Sequence, residues 1–157
     1  LKAATIHEIK HELASLPPKQ LLELALRLAK FKKENKELLS YLLFEAHDEH
    51  NYVESAKAEI DEGFSSLPLN NLYLMKKGLR KILKNISRYC RFTLSRQTEA
   101  ELLIHFCKSL KGTGVNIKHS IALSKIYDQQ LKKARTAIAA LHEDLHYDYT
   151  KKLAEIS

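Results

Sequence analysis

Two stretches of this chain have the spacing of a metal-dependent hydrolase. His7-Glu8-Ile9-Lys10-His11 and His142-Glu143-Asp144-Leu145-His146 both match H-E-x-x-H. On a helix that spacing sets two imidazoles on one face for a metal ion and leaves the Glu as general base. Each copy also contains E-x-x-H, the pattern by which helical bundles hold paired metals inside their cores. The metal-ligand candidates are therefore His7, His11, His142 and His146. Helical geometry argues against them. With Ile6 at 0°, the apolar stripe Ile6, Ile9, Leu13 and Leu16 centres near about 320°, whereas His7 and His11 fall at about 100° and 140°. A capping box with Thr5 also claims Glu8. In a last helix with Ile138 at 0°, His142 falls at about 40° and flanks the core, while Glu143 at about 140° faces water. No third ligand follows either copy. The reading preferred is surface histidines, with metal binding or a metal-dependent enzyme as the alternative. His47-Asp48-Glu49-His50 reads as a solvated helix boundary that can supply an N-cap.

No other catalytic constellation is present. There is no G-x-S-x-G, no P-loop and no dinucleotide fingerprint, so no cofactor is called for. Lys111-Gly112-Thr113-Gly114 is too short for a phosphate loop and reads as a helix stop. Cys90 and Cys107 sit at apolar helical positions, far from any zinc spacing, and read as buried reduced thiols. They point to the cytoplasm. The chain opens Leu1-Lys2-Ala3-Ala4 without Met, as a trimmed or partial sequence would, and shows no signal peptide.

The strongest signal is charge. The chain carries net +7. Residues 1–62 carry 9 basic and 12 acidic side chains, residues 63–127 carry 12 and 2, and residues 128–157 carry 5 of each. From Gly63 to Thr98 there are eight basic residues and no acid. With Leu72 at 0°, Lys77, Arg80, Lys81, Lys84, Arg88 and Arg91 lie between about 80° and 180°, opposite an apolar stripe. Like charges at i,i+4 cost a helix a few tenths of a kcal/mol each. An acid-free ridge kept at that cost is expected to meet an acidic partner, protein or nucleic acid. Tyr73 lies in line with the ridge and Phe92 at its edge, as bases stacking on aromatics would need. Two plainer readings compete: a solvated face, or pairing with Glu54, Glu59, Asp61 and Glu62 of the preceding helix. A helix-turn-helix around Gly112 and Gly114 is weak, because the connection is too long. The stripe of this helix is needed for a core, which argues against a membrane-surface role.

The elements that must position these residues are all helical. Thr5 caps a first helix ending at Pro17-Pro18. A second spans 18–33 and a third 36–47, broken at Asn35 as N-cap or continuous as one long helix. Both are apolar over more than half their circumference, so they are expected to be the central elements, or to cover a dimer interface. A fourth begins near Asn51 with Glu54 closing a capping box. A fifth spans 71–93 with the stripe Leu72, Met75, Leu79, Ile82, Ile86 and Tyr89. A sixth is capped by Ser95 or Thr98, buries Leu102, Leu103, Phe106, Cys107 and Leu110, and ends at Gly112 and Gly114. Val115-Asn116-Ile117 is an extended link, and Ser120 opens a last helix that can run past 150 as one rod. No strand alternation and no run of about 20 apolar residues is present. The expectation is a single all-α domain over 1–157. It has six to seven antiparallel-packed helices, as a multi-helical bundle or a short right-handed stack of α-α hairpins. It is read as non-enzymatic, with no membrane span and with self-association open.

The stretch Leu24-Ala25-Leu26-Arg27-Leu28-Ala29-Lys30-Phe31-Lys32-Lys33-Glu34-Asn35-Lys36-Glu37-Leu38-Leu39, with Leu141-His142-Glu143-Asp144-Leu145 and Tyr147-Asp148-Tyr149, resembles a family of short all-helical bacterial proteins with no assigned function. The resemblance covers most of the chain. It implies a cytoplasmic bacterial helical protein and carries over no activity and no site residues.

Overall fold

A computed structural model describes residues 1–157. The chain is all helical, with eight α-helices where six to seven were expected. It divides into two compact units, Leu1–Phe44 and Glu45–Ser157.

The first unit holds α1 (Ile6–Ala14), α2 (Pro18–Phe31) and α3 (Lys33–Ser40). The capping box forms: Thr5 accepts from the Glu8 N–H, and the Glu8 carboxylate accepts from the Thr5 N–H at 2.7 Å. That backbone hydrogen bond, with the Thr5 hydroxyl, holds the Glu8 pKa below its usual value. Pro18 opens α2 at the first helical position, where its missing N–H costs nothing. The break before α3 falls at Lys32, which is extended with φ −142° and ψ 141°. Asn35 does not cap α3 as expected. It lies inside the helix, and its Nδ2 donates back to the Leu28 carbonyl at 2.8 Å. The chain leaves α3 through a π-helical turn, Tyr41–Glu45.

No residue of α1, α2 or α3 is buried. Segments 18–33 and 36–47, in which Tyr41 alone is buried, are therefore not the centre of the fold. Leu22, Leu28, Leu42, Leu43 and Phe44 are exposed, and Phe31 is 80% so. A broad apolar face shows that a helix wants cover; it does not show which helix provides it.

The second unit contains α4 (Glu49–Ser65), α5 (Leu72–Thr93), α6 (Arg96–Gly112), α7 (Ile121–Ala139) and α8 (Glu143–Ala154). The centre is α6, which contacts α4, α5, α7 and α8. Ala100, Leu102, Phe106, Cys107 and Leu110 on it are wholly buried. Its buried positions span an arc of about 200°, wider than one neighbour can cover.

Caps set most boundaries. Asp48, rather than Asn51, caps α4 and accepts from the Asn51 N–H at 3.1 Å. Its carboxylate gives an acceptor and favourable charge at the helix start. Asn71 caps α5, Ser95 caps α6 and Ser120 caps α7. Glu49, in the first turn of α4, accepts hydrogen bonds from Thr93 and, at 2.6 Å, from the buried Thr98. One carboxylate thus ties the ends of three helices. Two glycines permit close packing on α5: a Cβ on Gly63 of α4 would lie 2.9 Å from Ile82, and one on Gly78 would lie 2.4 Å from Leu67 in the connection after α4.

The last helix is not one rod. It breaks at Ala140-Leu141-His142 without Gly or Pro. The break turns α8 back, so that Tyr149, Leu153 and Ile156 become buried. Tyr149 donates to Glu101 at 2.5 Å, and Tyr127 donates to the Ile156 carbonyl. Burial of three large side chains outweighs the few helical hydrogen bonds given up. No helix is long and apolar enough to cross a membrane.

Leu94, which closes α5, has a left-handed backbone with φ 58° and is 83% exposed. An L-residue there carries strain of about 1 kcal/mol, and this one recovers little by burial. Leu94→Gly is expected to stabilise the protein by about 0.5–1 kcal/mol, read from the urea midpoint. A second expectation concerns alkaline pH. Burial raises the pKa of Tyr89, Tyr127 and Tyr149 from 10.0 to about 12. It raises the two thiols, Cys90 and Cys107, from 9.0 to about 12. The fold favours the neutral forms, so their stabilisation is complete below the ordinary values and lost as pH climbs through the raised ones. Melting temperature measured against pH should fall between about 9 and 12.

Candidate binding surface on α5

The ridge is placed by the burial of the opposite face. Met75, Leu79, Ile82, Ile86 and Tyr89 are buried as the stripe requires; Leu72, in the first turn, is 46% exposed. Lys77, Arg80, Lys81, Lys84 and Arg91 are consequently exposed along the other side. Arg88 is half-buried, its guanidinium 5.6 Å from the centre of the Tyr89 ring. From Lys77 to Arg91 the ridge runs about 21 Å at 1.5 Å per residue.

The acids of α4 do not neutralise it. Glu54 pairs with Lys57 at 3.1 Å, and Lys57 also reaches Glu101 at 3.3 Å. Burial works against the charge on Lys57, but these two carboxylates outweigh it and raise its pKa, while Lys57 holds the Glu54 pKa low. Asp61 lies 2.7 Å from His105, and Glu59 accepts from the Tyr89 hydroxyl. Lys81 shares a groove of about 580 Å³ with Glu59 and Glu62. None of the ion pairs of the structure includes Lys77, Arg80, Lys81 or Lys84. Of the acids of the preceding helix, Glu54 and Asp61 are thus paired with Lys57 and His105, and Glu59 is bonded to Tyr89.

Tyr73, one turn before Lys77, is 71% exposed. It packs in no core and presents its ring to solvent at the head of the ridge. The connection from α6 to α7 runs from Thr113 to Ser120 through a 3-10 turn at Ile117–His119, unlike the short turn of a helix-turn-helix.

The histidine pairs are placed differently from one another. His7 and His11 lie exposed on α1. His142 lies outside α8 as its N-cap, where Nδ1 accepts from the Asp144 N–H at 3.3 Å. The i,i+4 helical geometry expected for His142 and His146 is therefore not formed, because the helix breaks just there. His146 is half-buried on α8, and its Nε2 has no hydrogen-bond partner. No three His, Cys, Asp or Glu side chains converge as a metal site would require. Cys90 is half-buried and Cys107 buried, and both are unpaired.

No family model, curated protein or solved structure matches this chain. The assignment of a function therefore rests on the geometry.

The histidine placement gives a direct expectation. After incubation with zinc and dialysis, metal analysis should find the same content in the parent protein and in His142→Ala/His146→Ala. Stoichiometric zinc lost in that variant would restore the metal reading.

Proposed function

We propose that this protein is a non-enzymatic binding protein whose α5 ridge holds the phosphate backbone of a nucleic acid. The observation that carries this is the line Lys77, Arg80, Lys81 and Lys84, exposed and outside every ion pair of the structure. One strand of a duplex presents a phosphate about every 3.4 Å, so a ridge of about 21 Å faces about six of them. Arg88 and Arg91 extend the line toward the end of the helix. Exposed Tyr73 favours nucleic acid over an acidic protein, because it offers a stacking face in register with the cations. Residues 45–157, read as a helical bundle around α6, give the ridge a rigid base.

Cations placed on phosphates carry no sequence information, so the affinity is expected to be electrostatic and sequence-tolerant. Fluorescence anisotropy with generic duplex and single-stranded oligonucleotides over a salt series tests it. With four to six phosphate contacts, log K should fall with log salt at a slope of about −3.6 to −5.4 on duplex. Lys77→Glu, Lys81→Glu and Lys84→Glu together should flatten that slope by about 2.7 or more. No binding at low salt would overturn the proposal and leave an acidic protein as the partner of the ridge.

A further inference from the structure

We infer that the cleft between α5, α6 and α7 is a separate binding site, for a small organic anion with an apolar body. The cleft has a volume of about 460 Å³, and its walls include Leu83, Ile86 and Leu103. That is the size and character of a small-molecule pocket. Gln130, in the middle of α7, lines it. This side chain is 4% exposed, no hydrogen bond of the structure engages its amide, and the amide is not sealed from solvent. Inside this cleft it offers a donor and an acceptor to whatever enters.

The rim supplies the positive charge. Arg91, Arg96 and Lys133 line the cleft, against one acid, Glu99. Arg96 holds Glu99 at 2.8 Å, and Lys133 takes part in no ion pair. Ser95 and Arg96 also bring the start of α6 to the rim, and the positive end of a helix dipole favours an anionic group there. An anionic head at Arg96 and Lys133, with its body against the leucines and its polar atoms at Gln130, uses every feature of the cleft. Inorganic phosphate would leave the walls and the amide unused. This site stands apart from the ridge, sharing with it Arg91 alone, and does not depend on nucleic-acid binding.

The test titrates the full chain with N-decanoylglycine below its micelle concentration, its amide being the polar group for Gln130, followed by amide chemical shifts. Decanol and inorganic phosphate serve as probes of body and charge separately. Saturable shifts are expected at residues 94–96 and 130–133, with decanol and phosphate each at least about tenfold weaker. Gln130→Leu should weaken N-decanoylglycine about tenfold or more while leaving the melting temperature unchanged or higher, because it removes an amide without an internal bond. Lys133→Glu, an exposed change that the fold tolerates, should weaken it similarly. The inference is overturned by shifts that do not saturate or that fall on α2 and α3. Equal binding of decanol or of phosphate, or variants that bind as the parent does, would overturn it as well.

Discussion

A helix that is apolar over more than half its circumference must be covered from several directions, and in residues 45–157 that helix is α6. Each large side chain fully buried along it contributes about 1.5–3 kcal/mol. Four other helices assemble against it. Their apolar faces have no freedom of orientation once α6 is covered. The stripe of α5 must point inward, so its cations must point outward. The ridge is thus a consequence of core packing rather than a feature added to it.

Polar ties near the start of α6 sharpen that arrangement. Glu49 takes hydroxyl hydrogen bonds from α5 and α6. On α6, Glu101 accepts from Tyr149 and pairs with Lys57, joining α4 and α8 to the same point. These contacts engage the carboxylates of Glu49 and Glu101 within the scaffold. The same use of carboxylates inside the scaffold leaves Lys77, Arg80, Lys81 and Lys84 with no internal counter-ion. Structural electrostatics and the proposed binding surface are two sides of one distribution of charge.

Where chain segments converge on α6 imperfectly, clefts remain. The one between α5, α6 and α7 combines a buried amide, leucine walls and a helix start, contributed by three separate elements. The first unit differs in kind: most of its leucines are exposed on α2 and α3, with no buried residue in any of its three helices. Amphipathicity alone did not decide which helices became a core. Contact with an all-round apolar partner did.

The sequence by itself determined the class, most of the boundaries and the ridge. Caps at Thr5, Asn71, Ser95 and Ser120 act within one helical turn, so their signal is local and legible. The ridge was equally legible, because helical periodicity converts spacing directly into a shared face. Only the tertiary structure decided the rest. The break at Ala140-Leu141-His142 carries no local stop signal; it exists because Tyr149, Leu153 and Ile156 gain burial by turning back. That break also separates His142 from the helical face on which a metal pair was conceivable. The rank of α6 over α2 and α3, the engagement of Glu49 and Glu101, and the cleft around Gln130 each depend on residues distant in sequence. Local propensity reads one turn of helix, whereas burial is settled by what arrives from elsewhere in the chain.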